Sequence, residues 1–167
     1  MNGSHEISAG TFIRARQFDA AVNDLRLRSE AQPNTAGLHG VLAEAYFHKG
    51  MEKEAEQEAE QSMRLYRPQL AADQHKIYTR GGLHAVLEWQ LNRYKKSGAK
   101  NYVSSIEFAK IYAQLKRKEE SLRYLELGYK EHAPFLAHLQ CNPDFDFLHS
   151  DPRYRAIVKK IGLPPAA

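Results

Sequence analysis

The chain of 167 residues contains a single cysteine, Cys141, and no long run of apolar residues. One thiol can form neither an intrachain disulfide nor a cysteine-based metal cluster, and we expect a buried or half-buried side chain there. No apolar stretch approaches the ~20 residues that a membrane helix requires. The first ten residues also lack the basic start and the apolar core of a secretory signal. These absences predict a protein of the cytoplasm that does not enter a membrane.

Signatures of common active sites and metal sites are missing as well. No two of the eight histidines are spaced four residues apart, and no H-E-x-x-H motif occurs. Gly81 and Gly82 are not followed by the Lys-Ser/Thr pair of a phosphate-binding loop. Asp144, Asp146 and Asp151 could act as paired carboxylates, but they lie among prolines and turns, where helix caps are expected. The sequence therefore predicts a protein that is not an enzyme and that uses no metal and no cofactor.

Composition and charge leave two classes of binding protein open. Hydrophobic residues make up 43% of the chain and charged residues 26%, as in an ordinary globular protein of one domain. Residues 1–83 carry 10 basic and 11 acidic side chains, whereas residues 84–167 carry 14 and 9. The basic second half keeps a nucleic-acid-binding helical module as the alternative to a protein-binding one.

Helical signals recur along the chain at an interval of about 34 residues. The clearest unit has the spacing H-x2-L-A-x2-Y-x3-G-x4-A, formed by His39, Leu42, Ala43, Tyr46, Gly50 and Ala55. Apolar residues at steps of three and four predict a pair of amphipathic helices in each unit. The predicted units are residues 2–34, 35–68, 69–100 and 101–134, followed by a segment 135–164 with a last helix. The third unit is degenerate, and its register stays open by one residue because either Gly81 or Gly82 could form the turn.

This spacing resembles the tetratricopeptide repeat (TPR), whose pattern is W-x2-L-G-x2-Y, then Ala and Pro. Residues 102–164 resemble more closely the C-terminal TPR region of bacterial regulatory proteins. The matching residues are Tyr102, Val103, Ser104, Glu107, Ala109, Ile111, Tyr112, Ala113, Leu115, Asn142, Pro143, Phe145, Asp146, Leu148, Asp151, Pro152, Arg153 and Tyr154. The chain departs from the pattern at Lys116 and Arg117, where such proteins often have a glycine after the leucine.

The resemblance implies an all-α fold, a right-handed α-solenoid of antiparallel helix pairs with a C-terminal capping helix, in one domain over residues 1–167. In such regulators the repeats follow a winged-helix domain, a protein kinase or a nucleotide cyclase. The first helix of each pair lines a concave groove. The resemblance places these residues in that groove: Glu44, Phe47, His48, His75, Tyr78, Thr79, Lys110 and Gln114.

The implied function is a non-enzymatic scaffold that binds a protein or peptide partner by apolar contacts around Phe47 and Tyr78. Gly40 and Glu44 occupy the place of the Lys/Asn set that clamps a C-terminal carboxylate in some TPR domains, so a receptor of that kind is not expected. Self-association through an exposed end of the helix stack is a third alternative.

Overall fold

The computed structural model describes residues 9–97 and 102–163, and these residues form helices and turns without any β-strand. The predicted all-α class is therefore confirmed. Residues 2–8, 98–101 and 164 of the predicted units lie outside this part of the chain. The chain divides into two compact units, Met1–Leu83 and His84–Ala167. The single domain and the solenoid stacking remain predictions.

The first unit contains four helices and the beginning of a fifth. They are α1 (Ala9–Arg14), α2 (Phe18–Ala31), α3 (Ala36–His48), α4 (Glu52–Tyr66) and α5 (Pro68–Ser97). Helical geometry in α5 is interrupted at Gly81 and Gly82, close to the boundary between the units. The core of this unit consists of Ile13, Ala21, Val22, Leu25, Leu42, Ala45, Tyr46 and Ala55.

Helices α3 and α4 form a close antiparallel pair. The Ser62 hydroxyl donates to the Ala36 carbonyl oxygen at 2.9 Å, at one end of the pair. A Cβ atom at Gly40 would lie 3.3 Å from that same hydroxyl oxygen, so even alanine there would require the Ser62 side chain to shift slightly. At the other end Gly50 adopts a φ of +74°, a left-handed conformation that glycine accepts without strain.

The second unit contains the end of α5, then α6 (Ser105–Gln114), α7 (Lys118–Lys130), two 3-10 helices (Pro134–Cys141 and Pro143–Leu148) and α8 (Pro152–Ile161). Side chains cap two helices here, and the cap expected at Asp151 is confirmed. Ser104 Oγ accepts from the Ile106 amide at 3.3 Å, and Asp151 Oδ1 accepts from the Arg153 amide at 2.8 Å. The core consists of Ile106, Ala109, Ala113, Leu122, Leu125, Ala133, Leu136, Leu139, Phe145, Leu148, Tyr154, Ile157 and Val158.

Three helix pairs share one kind of turn. The amide three residues past the last residue of the first helix donates a hydrogen bond back across five residues, to the carbonyl oxygens of Phe12, Tyr46 and Tyr112. Lys116 stands where TPR-like sequences often have glycine, and its φ is +58°, so it adopts the left-handed conformation in spite of its side chain. Phe12 and Tyr46 are 34 residues apart, and Tyr46 and Tyr112 are 66 residues apart, close to two repeat lengths.

Candidate functional site

The eight predicted groove residues lie on three helices and are divided between the two units. Glu44, Phe47 and His48 lie on α3, and His75, Tyr78 and Thr79 lie on the first part of α5. Lys110 and Gln114 lie on α6, in the second unit. That they form one binding surface stays a prediction.

The three residues of α3 are all half-buried. The His48 ring stacks on Phe18 of α2, with centroids 5.3 Å apart, and meets the Phe47 ring edge-on at 5.2 Å. Phe47 also packs against the core of the first unit. These rings therefore join α2 to α3, and Phe47 has only part of its surface left for a partner.

The residues of α5 have more exposed surface. His75 Nδ1 lies 2.9 Å from Glu60 Oε2 of α4, and 56% of the histidine side chain is exposed. The Thr79 hydroxyl donates to the Lys76 carbonyl oxygen at 2.9 Å, within its own helix. His75 and Thr79 could both be reached by a partner.

Tyr78, which lies on α5 between His75 and Thr79, is in an anionic environment. Burial raises the pKa of its hydroxyl, and the charges of Glu56, Glu52 and Glu54 raise it further. These glutamates belong to α4, which contacts the first part of α5 also through the pairs Glu56–Gln74 and Glu60–His75.

Glu56 was not singled out in the sequence, yet it is among the most buried charged residues, with 3% of its surface exposed. Its Oε1 accepts from Gln74 Nε2 at 3.2 Å, and its Oε2 is buried and has no hydrogen-bond partner within the described residues. Burial raises the pKa of this carboxyl to about 7, against the effect of the Gln74 bond. The sequence feature that could have indicated its burial is its position next to Ala55, on the face of α4 that carries small residues.

His39 occupies the aromatic position of the repeat pattern and is 8% exposed. Its Nδ1 lies 2.7 Å from Glu58 Oε2, and its Nε2 lies 2.9 Å from the Pro33 carbonyl oxygen. Since both ring nitrogens face acceptors, the doubly protonated ring satisfies both contacts. Burial alone would lower the pKa of His39, but the bonds to Glu58 and Pro33 outweigh it and raise the pKa.

The second unit has a pocket of about 100 Å³ beside α6. Its walls come from α6 and from the segment of 3-10 helices, and they consist of Ile106, Glu107, Lys110, Phe135, His138, Leu139, Asn142 and Phe145. Phe135 is 61% exposed, whereas Leu139 and Phe145 are buried. A pocket of this volume with an apolar floor can receive a small aliphatic side chain, as apolar cavities of ~150 Å³ receive benzene.

The two predicted residues of α6 differ in their roles. Lys110 lines the pocket. Gln114 instead donates from Nε2 to the carboxylate of Asp144, at 3.2 Å from Oδ1, and so links α6 to the second 3-10 helix.

The expectation for Cys141 is wrong, because its side chain is exposed. Cys141 ends the first 3-10 helix, whose inward positions are Leu136 and Leu139, three residues apart. Three residues make one turn of such a helix, so position 141 falls off that inward row.

Comparison of the chain with protein-family models, with curated proteins and with solved structures found no match. None of the helices in residues 9–97 and 102–163 combines the length and apolar character needed to cross a membrane. The proposals below therefore depend on the geometry and on the sequence pattern. The expected absence of a metal, a cofactor and an enzymatic activity remains a prediction.

Proposed function

We propose that the protein is a scaffold without enzymatic activity, and that the pocket beside α6 receives an apolar side chain from a segment of a partner protein. The observation that carries this proposal is the pocket itself. It has a buried apolar floor, an exposed aromatic wall at Phe135, and Lys110 from the helix that the repeat pattern assigns to ligand binding. Exposed aromatic residues beside a pocket are typical anchors of protein recognition.

The architecture that goes with this function is a TPR-type array, in a bacterial regulator of the cytoplasm. Its support is the turn that recurs after Phe12, Tyr46 and Tyr112 at intervals of one and nearly two repeat lengths. A sequence-encoded repeat of helix pairs, each with the same turn, is the basis of a solenoid. In this architecture, His75 and Thr79 are exposed on the first part of α5 and give the first unit its own contact residues for a partner.

The nucleic-acid alternative has less support, because Lys95 and the basic residues 116–118 contact other side chains of the protein. Lys95 lies 5.7 Å from the ring centre of Tyr112, and Lys116 lies 5.0 Å from that of Phe147. In the same region Arg117 pairs with Glu88, and Lys118 Nζ lies 2.6 Å from Asp151 Oδ2. A phosphate backbone would have to compete with these contacts.

The test uses peptides selected on the whole chain from a phage-displayed library of 12-residue sequences and then labelled with fluorescein. We expect Phe135→Ala to weaken binding of the selected peptides by about 5-fold or more, since truncation of an aromatic anchor typically costs over 1 kcal/mol. Leu127→Ala is the matched control, because Leu127 is 41% exposed on α7 and does not line the pocket. Phe47→Ala and Tyr78→Ala test whether the predicted residues of the first unit take part.

A 30-nucleotide single strand provides the contrasting probe. Peptide binding should change little between 50 and 300 mM NaCl, whereas binding through phosphate contacts falls steeply with salt. The proposal fails if Phe135→Ala and Leu127→Ala bind the peptides equally well. The alternative gains if oligonucleotide binding is tight and is lost on charge reversal of Lys95 and Lys96.

A further inference from the structure

The contact between α4 and the first part of α5 has a polar centre. Glu56 and Gln74 are each 3% exposed, and within residues 68–80 only Ala71 and Gln74 are fully buried. The Glu56 carboxyl accepts one bond, from Gln74 Nε2, and its other oxygen is buried without a partner in the described chain. A buried carboxylate with an unsatisfied oxygen costs free energy that a neutral carboxyl does not. This contact is therefore sensitive to a single proton.

The charged groups that face Glu56 are few. On α4, Glu60 lies one turn away and raises the pKa of Glu56, and on α5 the charge of His75 lowers it. Tyr78 of α5 is held neutral by burial and by the surrounding glutamates. Helix α3 packs on α4 as well, and of its titratable residues His39 is bonded to Glu58, while none of His39, Glu44, Tyr46 and His48 is among the groups that shift the pKa of Glu56. Burial remains the dominant influence on Glu56.

The segment of α5 over residues 68–80 has a non-helical residue at each end. Arg67, before it, has φ −145° and ψ 69°, and after it Gly82 has φ +62° and ψ −163°. Both ends interrupt helical geometry, so the segment can move away from α4 without unwinding a neighbouring helix. Besides the Glu56–Gln74 bond, the Glu60–His75 contact at 2.9 Å holds it in place.

We propose that the proton of Glu56 controls the docking of residues 68–80 on α4. With Glu56 neutral, the segment is docked. With Glu56 ionised, the buried charge favours an opened form in which water reaches the carboxylate.

Docking therefore tightens at mildly acidic pH and loosens above neutrality. With a pKa of about 7 in the docked form and the ordinary 4.5 in the opened form, linkage gives at most about 25-fold more opening at pH 8 than at pH 5.5. His75, Tyr78 and Thr79 move with the segment. Opening therefore also displaces residues that are predicted to contact a partner. Only this effect on partner binding rests on the proposed function.

Hydrogen exchange of the whole chain, followed by mass spectrometry and corrected for the intrinsic pH dependence, tests the proposal without any partner. Amides 71–80 should lose protection by about 10-fold or more between pH 5.5 and 8, within the linkage limit. Glu56→Gln, which cannot ionise, should abolish this dependence. Glu52→Gln is the matched control on the exposed side of α4 and should keep it.

Equal protection of amides 71–80 at both pH values in the wild type would overturn the proposal, as would the same pH dependence in Glu56→Gln. A second measurement does not depend on the variant's stability. In protein labelled with ¹³C at the glutamate carboxyls, one resonance should titrate with a midpoint near 7. If every glutamate titrates near 4.5, the proposal is wrong, and the peptide-binding function is unaffected by that result.

Discussion

His39 links the start of α3 to two other parts of the first unit by hydrogen bonds. Its replacement by phenylalanine tests how much these bonds contribute to the free energy of unfolding. His39→Phe keeps a ring of similar volume in a site that is 8% exposed and removes both hydrogen bonds, to Glu58 and to the Pro33 carbonyl oxygen. The Glu58 side chain is 26% exposed, so water can replace the histidine on that side. The Pro33 carbonyl oxygen loses the His39 donor in the variant.

The expected loss follows from these two contacts. A hydrogen bond to a charged group contributes about 1.5–3 kcal/mol, and the solvent at Glu58 reduces its share, so we expect a loss of about 2 kcal/mol at pH 6. The pKa of His39 is raised above 6.5, so its stabilisation is complete below about 6.5 and declines as the pH rises through the folded-state pKa. A neutral imidazole donates from one nitrogen only. The difference between wild type and variant should therefore shrink by pH 9.

Urea unfolding monitored by circular dichroism, at several pH values between 6 and 9, measures this difference. Taking the wild type minus the variant at each pH cancels the contribution of Glu56, which both proteins share. His84→Phe is the control, because His84 is exposed on α5, and its replacement should change the free energy of unfolding by less than about 0.5 kcal/mol. A difference for His39→Phe that stays constant or grows from pH 6 to pH 9 would refute the reasoning.

Two further predictions concern the second unit. A Cβ atom at Gly128 would lie 2.8 Å from Ile106 Cδ1, so Gly128→Ala should destabilise the unit by about 1 kcal/mol, because overpacking outweighs the gain in helix propensity. In an Ile106→Val background, which lacks that atom, Gly128→Ala should be neutral or stabilising. Equal effects of Gly128→Ala in both backgrounds would contradict the overpacking explanation. Asp151 caps α8 and pairs with Lys118, whose hydrogen bond lowers the pKa of the Asp151 carboxyl. The midpoint of thermal unfolding should therefore be highest for the wild type, lower for Asp151→Asn and lowest for Asp151→Ala. The difference between the wild type and Asp151→Asn should disappear as the pH falls below 3.8 and through the folded-state pKa of Asp151.

The resemblance to TPR sequences predicted α6 as a ligand-binding helix. Lys110 of α6 lines a pocket, and binding of a ligand there stays a prediction. The other wall of that pocket was not predicted. Phe135 and His138 belong to a 3-10 segment that is brought next to α6 only by the tertiary fold. Gln114 was assigned to the same surface, but it bonds to Asp144, 30 residues away.

The buried polar residues could not be predicted for a related reason. Glu56 stands in a run of alternating glutamates on α4, and such a run usually forms a solvated surface. Glu56 is instead buried and accepts a hydrogen bond from Gln74, and that contact depends on how α5 packs against α4. Cys141 is the opposite case, an apolar-type residue left exposed.

The sequence by itself determined several of the helix ends in this protein. Ser104 and Asp151 as caps, Gly50 in its turn and the three- and four-residue steps of apolar side chains act within one or two helical turns, so they can be read locally. Only the tertiary structure decided which polar groups are buried and paired, as His39 with Glu58 and Glu56 with Gln74. Those contacts join residues 19 and 18 positions apart, and their free energy comes from the exclusion of water by neighbouring helices, which no local pattern encodes.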